Sequence, residues 1–392
     1  MKPLRFSSPL AFALLLTLFC RTDSRAQSAR SAPYEVSLPT AQPSGDPVND
    51  RIRLTFYPAG NTSAPPGPAV VLLHLLGEVR NGTLHRFARH LAQRGIAAAV
   101  MTLPYHMRRR PAGDKPVRHF LAQDVDTVVQ AFSQSASDVS TVISWLSRQP
   151  SVDPQRIGGA GISLGAIILH LVMGQDARLK AGVALLGGGN LWEMYQSSLA
   201  TKLFAKRPNG APLTAAQLER LRAVDPISYA AANRPRRVLM IQAARDLFLP
   251  PRNAIALWEA LGRPPIQWLD INHLGLGLAM PSAMKTTAAY LEAVLNGRDV
   301  EAQTVPHVRV PTLKVGTLIG LDAAVTPALT WQAHSFATRR DHLSLLHADV
   351  GWSGRGPFIG LAATLNAFAD IGVGRRLSGR AIRPYASLHV VF

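Results

Sequence analysis

The chain has a single cysteine in 392 residues, Cys20, and that one lies near the N-terminus. The remainder can form no disulfide and offers no thiolate, which excludes disulfide frameworks, zinc ribbons and iron–sulfur sites. Acidic residues are also scarce, 24 against 42 lysines and arginines, for a net charge of +18. A charge of that size invites a nucleic-acid reading. No zinc-finger spacing and no basic helix accompanies it, so no nucleic-acid partner is expected, and a solvated basic surface is the simpler account. Long apolar runs are missing as well: Leu10 to Phe19 is too short to span a bilayer as a stable helix.

That run instead reads as the centre of an export signal over residues 1–26, with Lys2 and Arg5 before it and Ser24-Arg25-Ala26 as a small-x-small cleavage site. Cys20 follows Thr17-Leu18-Phe19, a poor lipoprotein box, so lipid anchoring there is not expected. Cleavage after Ala26 takes four basic residues and one acidic residue, leaving a formal charge of +15. The expected location is exported, periplasmic or associated with the outer membrane. Residues 27–48, rich in Ser, Ala, Pro and Gln, read as a linker.

The most informative stretch is Gly161-Ile162-Ser163-Leu164-Gly165, set between a β-branched approach and an apolar helical segment. A serine hydroxyl needs presentation and a base to act as a nucleophile, and a G-x-S-x-G strand-to-helix turn presents it. The motif alone is weak, so its partners matter. The apolar run Arg237 to Gln242 reads as a buried strand with Asp246 in the loop after it, and Ile266 to Asp270 reads as another with His273 just beyond. Ser163, Asp246 and His273 thus follow in the order in which an imidazole takes the serine proton and a carboxylate holds the imidazole. Upstream, Pro68 to His74 reads as a strand ending where an oxyanion loop belongs, so the amides of Leu164 and Leu75 are the candidate oxyanion donors. His74 reads as an organiser of that loop and His170 as a core residue of the helix. His85, His90, His106 and His119 lack the spacing of a two-ligand helical face, and neither metal nor cofactor is expected.

With these residues in place, residues 50–297 resemble serine α/β-hydrolases of the dienelactone hydrolase, acetyl xylan esterase and prolyl oligopeptidase-like group. Leu103-Pro104-Tyr105-His106 after a strand and Val224 to Ala230 before the acid-bearing strand add to the likeness. The resemblance implies an α/β fold with a doubly wound, mostly parallel sheet over 49–298, and a lid or cap insertion over 190–224. Where the family carries His-Gly in the oxyanion loop this chain has His74-Leu75, which leaves the donor between Leu75 and Leu76. Dienelactone hydrolases use cysteine at the elbow, so their particular chemistry is not implied. Arg108, Arg109 and Arg110 follow a strand at the sheet edge where such folds bind ligands, and one of them is expected to face substrate.

The character changes after residue 298. Residues 305–392 hold long alternating stretches, among them Ile359, Leu361, Ala363, Leu365, Ala367, Ala369, Ile371 and Val373 on one side, and the chain ends in Val390-Val391-Phe392. That end resembles the last strand of bacterial outer-membrane barrels. Four or five strands are counted, too few to close a barrel, since the smallest single-chain membrane barrels have about eight. A soluble antiparallel β appendage, outer-membrane association through residues 310–392 and an ill-ordered tail all stay open, as does the oligomeric state. The function expected is an exported hydrolase cleaving small carboxylic esters. A prolyl oligopeptidase-type peptidase and an envelope-associated protein with a decayed, non-catalytic hydrolase domain are the alternatives.

Overall fold

The computed structural model describes residues 32–59, 65–122, 124–199, 201, 213–300, 312–320, 324–338, 344–366 and 368–392. The export signal at 1–26 lies outside them, as do 27–31 of the linker, 202–212 of the insertion and 305–311 of the C-terminal region.

The first unit is built on an eight-stranded sheet. Its strands in chain order are β1 (Tyr34–Pro39), β2 (Arg51–Tyr57), β3 (Gly67–Leu73), β4 (Ala97–Thr102), β5 (Val152–Ile162), β6 (Leu179–Leu185), β7 (Arg237–Ala243) and β8 (Ile266–Leu269). In space they run β1-β2-β4-β3-β5-β6-β7-β8, parallel from β4 to β8 and antiparallel at β1 and β2. The central strands β3, β4, β6 and β7 are continuous apolar runs because helices cover both of their faces. The main helices are α1 (Gly82–Gln93), α2 (Val125–Leu146), α3 (Leu164–Gln175), α4 (Leu191–Ser197), α5 (Ala215–Arg222), α6 (Pro251–Ala260) and α7 (Leu276–Leu295). Residues of α2, α3 and α6 pack into the core on one face of the sheet, and those of α1 and α7 into the core on the other. Asp124 caps α2 by accepting from the amides of Asp126 and Thr127. Helix α3 is buried on every side, which is why its sequence is apolar throughout instead of amphipathic.

Residues 27–48 are not a plain linker. They contribute β1, and the segment after it supplies partners for a buried cation. Arg109 is fully buried, ion-paired with Asp138 at 2.7 Å, and donates to the carbonyl oxygen of Asn49. Thr40 donates to Asp138, and Asn49 accepts from the amide of Tyr105. A buried guanidinium is tolerated only when its donors are met, and the segment at 40–50 stays in place to meet them.

The second unit is a closed, all-antiparallel barrel of six strands. They are β9 (Thr312–Gly320), β10 (Ala324–Thr338), β11 (Ser344–Ser353), β12 (Gly356–Asn366), β13 (Ala369–Arg376) and β14 (Arg383–Val391), and β14 pairs with β9 to shut the ring. The sequence-based count of four or five strands is therefore low. The run from 359 to 373 is not one long strand but β12 and β13 joined by a tight hairpin, in which Asn366 accepts from the amide of Phe368. The hairpin leaves the odd-numbered residues of both strands on the same face, so the alternation passes through the turn without a break. The ring is small enough that a Cβ on Gly360 would lie 2.6 Å from the Tyr385 hydroxyl.

Removing the Arg109 side chain leaves Asp138 charged and buried. Arg109→Ala is expected to destabilise the protein by about 3–5 kcal/mol, whereas Arg108→Ala, which removes an exposed pair with Glu35, should change stability little. Urea midpoints of the two variants provide the check.

Candidate active site

Ser163 sits between β5 and α3 with φ 54° and ψ −112°, a backbone conformation that side-chain-bearing residues rarely adopt. Its amide donates to the carbonyl of Leu185 at 2.8 Å. The turn is tight because the flanking backbones nearly touch. A Cβ on Gly161 would lie 2.2 Å from the Gly165 carbonyl oxygen, and one on Gly165 would lie 2.5 Å from that of Leu73. Both glycines of the motif are needed for that approach, and the approach places the serine at the N-terminus of α3, where the first amides have no helical acceptor.

The structure brings Ser163, His273 and Asp246 together. The Ser163 Oγ lies 3.0 Å from His273 Nε2, and His273 Nδ1 lies 2.7 Å from Asp246 Oδ2. The other Asp246 oxygen accepts from the amides of Phe248 and Leu249, both at 2.8 Å, which fixes the carboxylate. The Asp246 side chain is 2% exposed and that of His273 15%, so the pair is shielded while the imidazole edge stays reachable. A Ser-His-Asp chain with these distances can move a proton from the hydroxyl to the imidazole.

Leu75 and Leu76 both border the cavity beside Ser163. The loop carrying them is held by two buried histidines. His74 Nε2 accepts from the amide of Leu103 at 3.0 Å, so Nδ1 carries the proton and donates to the Leu75 carbonyl at 2.8 Å. His106 does the same one layer out, accepting from the amide of Gly77 and donating to the carbonyl of Pro104, with its ring edge-on to His74 at 4.7 Å. Burial pushes His74 down to about 4, and burial with the neighbouring His74 pushes His106 down to about 3, so both are neutral clamps. The sequence gives His106 no clamping role; its signal as a clamp is its place just past the end of β4, beside the oxyanion loop.

The arginines behave differently from the sequence expectation. Arg108 pairs with Glu35 on the surface, Arg109 turns inward to Asp138, and Arg110 is exposed; none of the three borders the cavity over Ser163. A short 3-10 turn at Met107–Arg109 rotates the segment away from the sheet edge. The described part of the 190–224 insertion supplies cavity wall through Leu191, Met194 and Tyr195 of α4 and Leu221 of α5. The cavity measures about 570 Å3. Among the described residues no aspartate, glutamate, lysine or arginine lines it; the walls are Val117, Phe120, Phe132, Ile167, Phe248 and similar side chains.

Beneath His273 the barrel meets the first unit. Asp270, at the end of β8, is paired with Arg245 at 2.7 Å and accepts from Gln332 of β10 at 2.9 Å, while its carbonyl accepts from Thr312 of β9 at 2.7 Å. Burial alone would raise the Asp270 carboxyl, but Arg245 and Gln332 outweigh it and hold it below the usual range. A Cβ on Gly275 would lie 2.4 Å from the Phe392 carbonyl carbon, so the histidine loop rests on the last residue of the chain. Inside the barrel, His347, Asp349 and Asp370 point ligand atoms at one place. The ammonium of Lys314 already sits there, 2.7, 3.1 and 2.8 Å from them, in the position a cation would take.

The sequence matches the Prolyl oligopeptidase family model over residues 131–273 and the model named Alpha/beta hydrolase domain containing 18 over residues 23–195. It is 30% identical over 140 residues to an uncharacterized 31.7 kDa Escherichia coli protein from the traX-finO intergenic region. That match covers 36% of this chain and 43% of the relative, less than half of its length. Among solved structures, acetyl xylan esterase from Paenibacillus sp. R4 aligns with a TM-score of 0.53 at 19% identity, covering 68% of this chain and 86% of that one. An acylaminoacyl peptidase from Pyrococcus horikoshii aligns at 0.52 and 14% identity, covering 78% and 46%.

Acid should test the buried histidines. His170, also fully buried, is pushed down to about 4 by burial. For His74, His106 and His170 the folded values lie below the unfolded value near 6.5, so the unfolded chain binds more protons in between and stability falls as pH drops below about 6.5. Each is expected to remove about 1 kcal/mol between pH 6.5 and 5.5. A urea midpoint that does not move over that range would contradict this. The sheet order and the solved-structure alignments together show that the first unit has the α/β-hydrolase fold, followed in the same chain by a closed six-stranded antiparallel barrel.

Proposed function

We propose that this hydrolase is an exported serine esterase acting on carboxylic esters with an apolar acyl group. Ser163 attacks the ester carbonyl as His273 Nε2 takes the hydroxyl proton. The amides of Leu164 and of Leu75 receive the oxyanion, and the tetrahedral intermediate collapses as His273 returns the proton to the leaving alkoxide, giving alcohol and acyl-Ser163. Water then attacks the acyl-enzyme with His273 again as base, releasing the acid and restoring the serine. Asp246 orients His273 and stabilises its charged form.

The observation that carries this reading is the cavity over Ser163. A peptide presents charged termini and many amides, and the described wall offers no charged side chain to meet them, whereas an acyl chain needs only apolar contact. The esterase and peptidase structural relatives are compatible with either chemistry, and the apolar wall supports the ester reading. The reading of a decayed domain calls for a broken site, and the hydrogen-bonded order of Ser163, His273 and Asp246 speaks against it.

Burying one methylene stabilises by about 0.8 kcal/mol, about fourfold in kcat/KM. In a series of p-nitrophenyl esters, kcat/KM is therefore expected to climb by about that factor per added methylene beyond acetate until the cavity fills. Ser163→Ala should remove turnover throughout the series. A flat or falling series with an intact Ser163 dependence would contradict the apolar-acyl assignment.

A further inference from the structure

The barrel is built inside out relative to a soluble one. Along the strands the outward residues are mostly apolar, while the inward ones are mostly polar or small, with Leu318, Phe358 and Tyr385 filling the lumen: Lys314 faces in and Val315 out on β9, Thr330 in and Trp331 out on β10, and Asp349 in and Val350 out on β11. Strand β12 sets Thr364 inward against Leu361 and Leu365, β13 sets Asp370 against Ile371, and β14 sets His389 against Leu388 and Val390. Of the 23 exposed large hydrophobic side chains among the described residues, 18 lie in residues 312–392. We infer that this barrel is inserted in a lipid bilayer and holds the hydrolase domain at the membrane surface.

Four observations favour lipid over a protein partner. The apolar positions run round the whole closed ring, and a second copy would cover only an arc of it, whereas a bilayer covers all of it. Closure of β14 on β9 leaves no strand edge, the condition for β-structure in hydrocarbon, where unpaired backbone groups find no water. The longer strands match the thickness: the 11 residues of β12 span about 35 Å and, at a tilt of about 40°, about 27 Å along the axis, against an apolar band of about 25 Å in membrane barrels.

Charge is the fourth. The strand ends away from the hydrolase domain carry Arg355, Arg375, Arg376, Arg380 and Arg383, and none of the described residues of those ends is acidic, which complements anionic headgroups. Nothing helical competes for the role, since no described helix is long and apolar enough to cross a membrane. Six strands are fewer than the eight of the smallest single-chain barrels. Here the narrow lumen is filled by the Lys314, His347, Asp349 and Asp370 cluster together with Phe358 and Tyr385, so no buried charge is left without a partner. At the other end Leu274 borders the Ser163 cavity while adjoining Gly275, which rests on Phe392. One lining residue of the cavity thus lies next to the residue that meets the barrel end, and Leu274 and Leu278 expose apolar surface.

The test uses the full chain with no readout of turnover, so it stands or fails apart from the esterase assignment. Wild-type protein is mixed with vesicles of phosphatidylethanolamine and phosphatidylglycerol, floated through a density gradient and washed with alkaline carbonate. Flotation that survives the wash is expected. Single cysteines on a Cys20→Ser background, Val350→Cys and Leu361→Cys outward and Ser353→Cys and Thr364→Cys inward, then carry an environment-sensitive fluorophore. Spin-labelled lipid should quench most of the emission at the outward positions and little at the inward ones. Protein that stays at the bottom of the gradient would overturn the inference. So would a water-soluble oligomer whose outward labels are shielded from iodide but not quenched by lipid, which would assign the surface to a second copy of the chain.

Discussion

Helix α3 lies against the carbonyls of Leu73 and His74 with no room for a Cβ on Gly165, and the geometry of the site follows from that contact. It brings the helix N-terminus to the end of β3, where the oxyanion loop begins, and forces Ser163 into its positive-φ conformation. A serine held there costs of order 1–3 kcal/mol, which the buried helix behind it absorbs. The same proximity puts Leu75 and Leu164 on one wall of the cavity with Ser163. His74 and His106 then fix the loop from behind, each a neutral ring accepting one amide and donating to one carbonyl.

Much of this was legible because it is local. A G-x-S-x-G between an apolar strand and an apolar helix, and an acid and a histidine just past two further strands, are short-range signals; the structure puts the three side chains within hydrogen-bond distance. What was not legible depends on distant partners. Nothing in Arg108-Arg109-Arg110 says that Asp138 and Asn49 await the middle one, so a run at a strand end read as ligand-facing is in part core. Residues 27–48 look like linker because β1 is an exposed edge strand whose sequence carries no strong apolar pattern. The barrel was undercounted because the β12–β13 hairpin keeps the parity of the alternation, so these two strands read as one.

The two units are not independent attachments. Asp270 joins them: its carboxylate takes Arg245 from one and Gln332 from the other, three residues before His273. The position of the histidine loop therefore depends on the barrel end as well as on β8. Leu274 borders the cavity, which has no charged wall residue among the described residues, and it adjoins the contact between Gly275 and Phe392 at the barrel end.

The central claim is that Ser163 is a nucleophile activated by His273, and covalent trapping tests it most directly. Full-chain protein is treated with a fluorophosphonate and analysed by intact mass and peptide mapping. The account predicts one adduct per chain, on the peptide containing Ser163, with labelling slowed by orders of magnitude in His273→Ala. No adduct on folded protein, or an adduct on another residue, would contradict it.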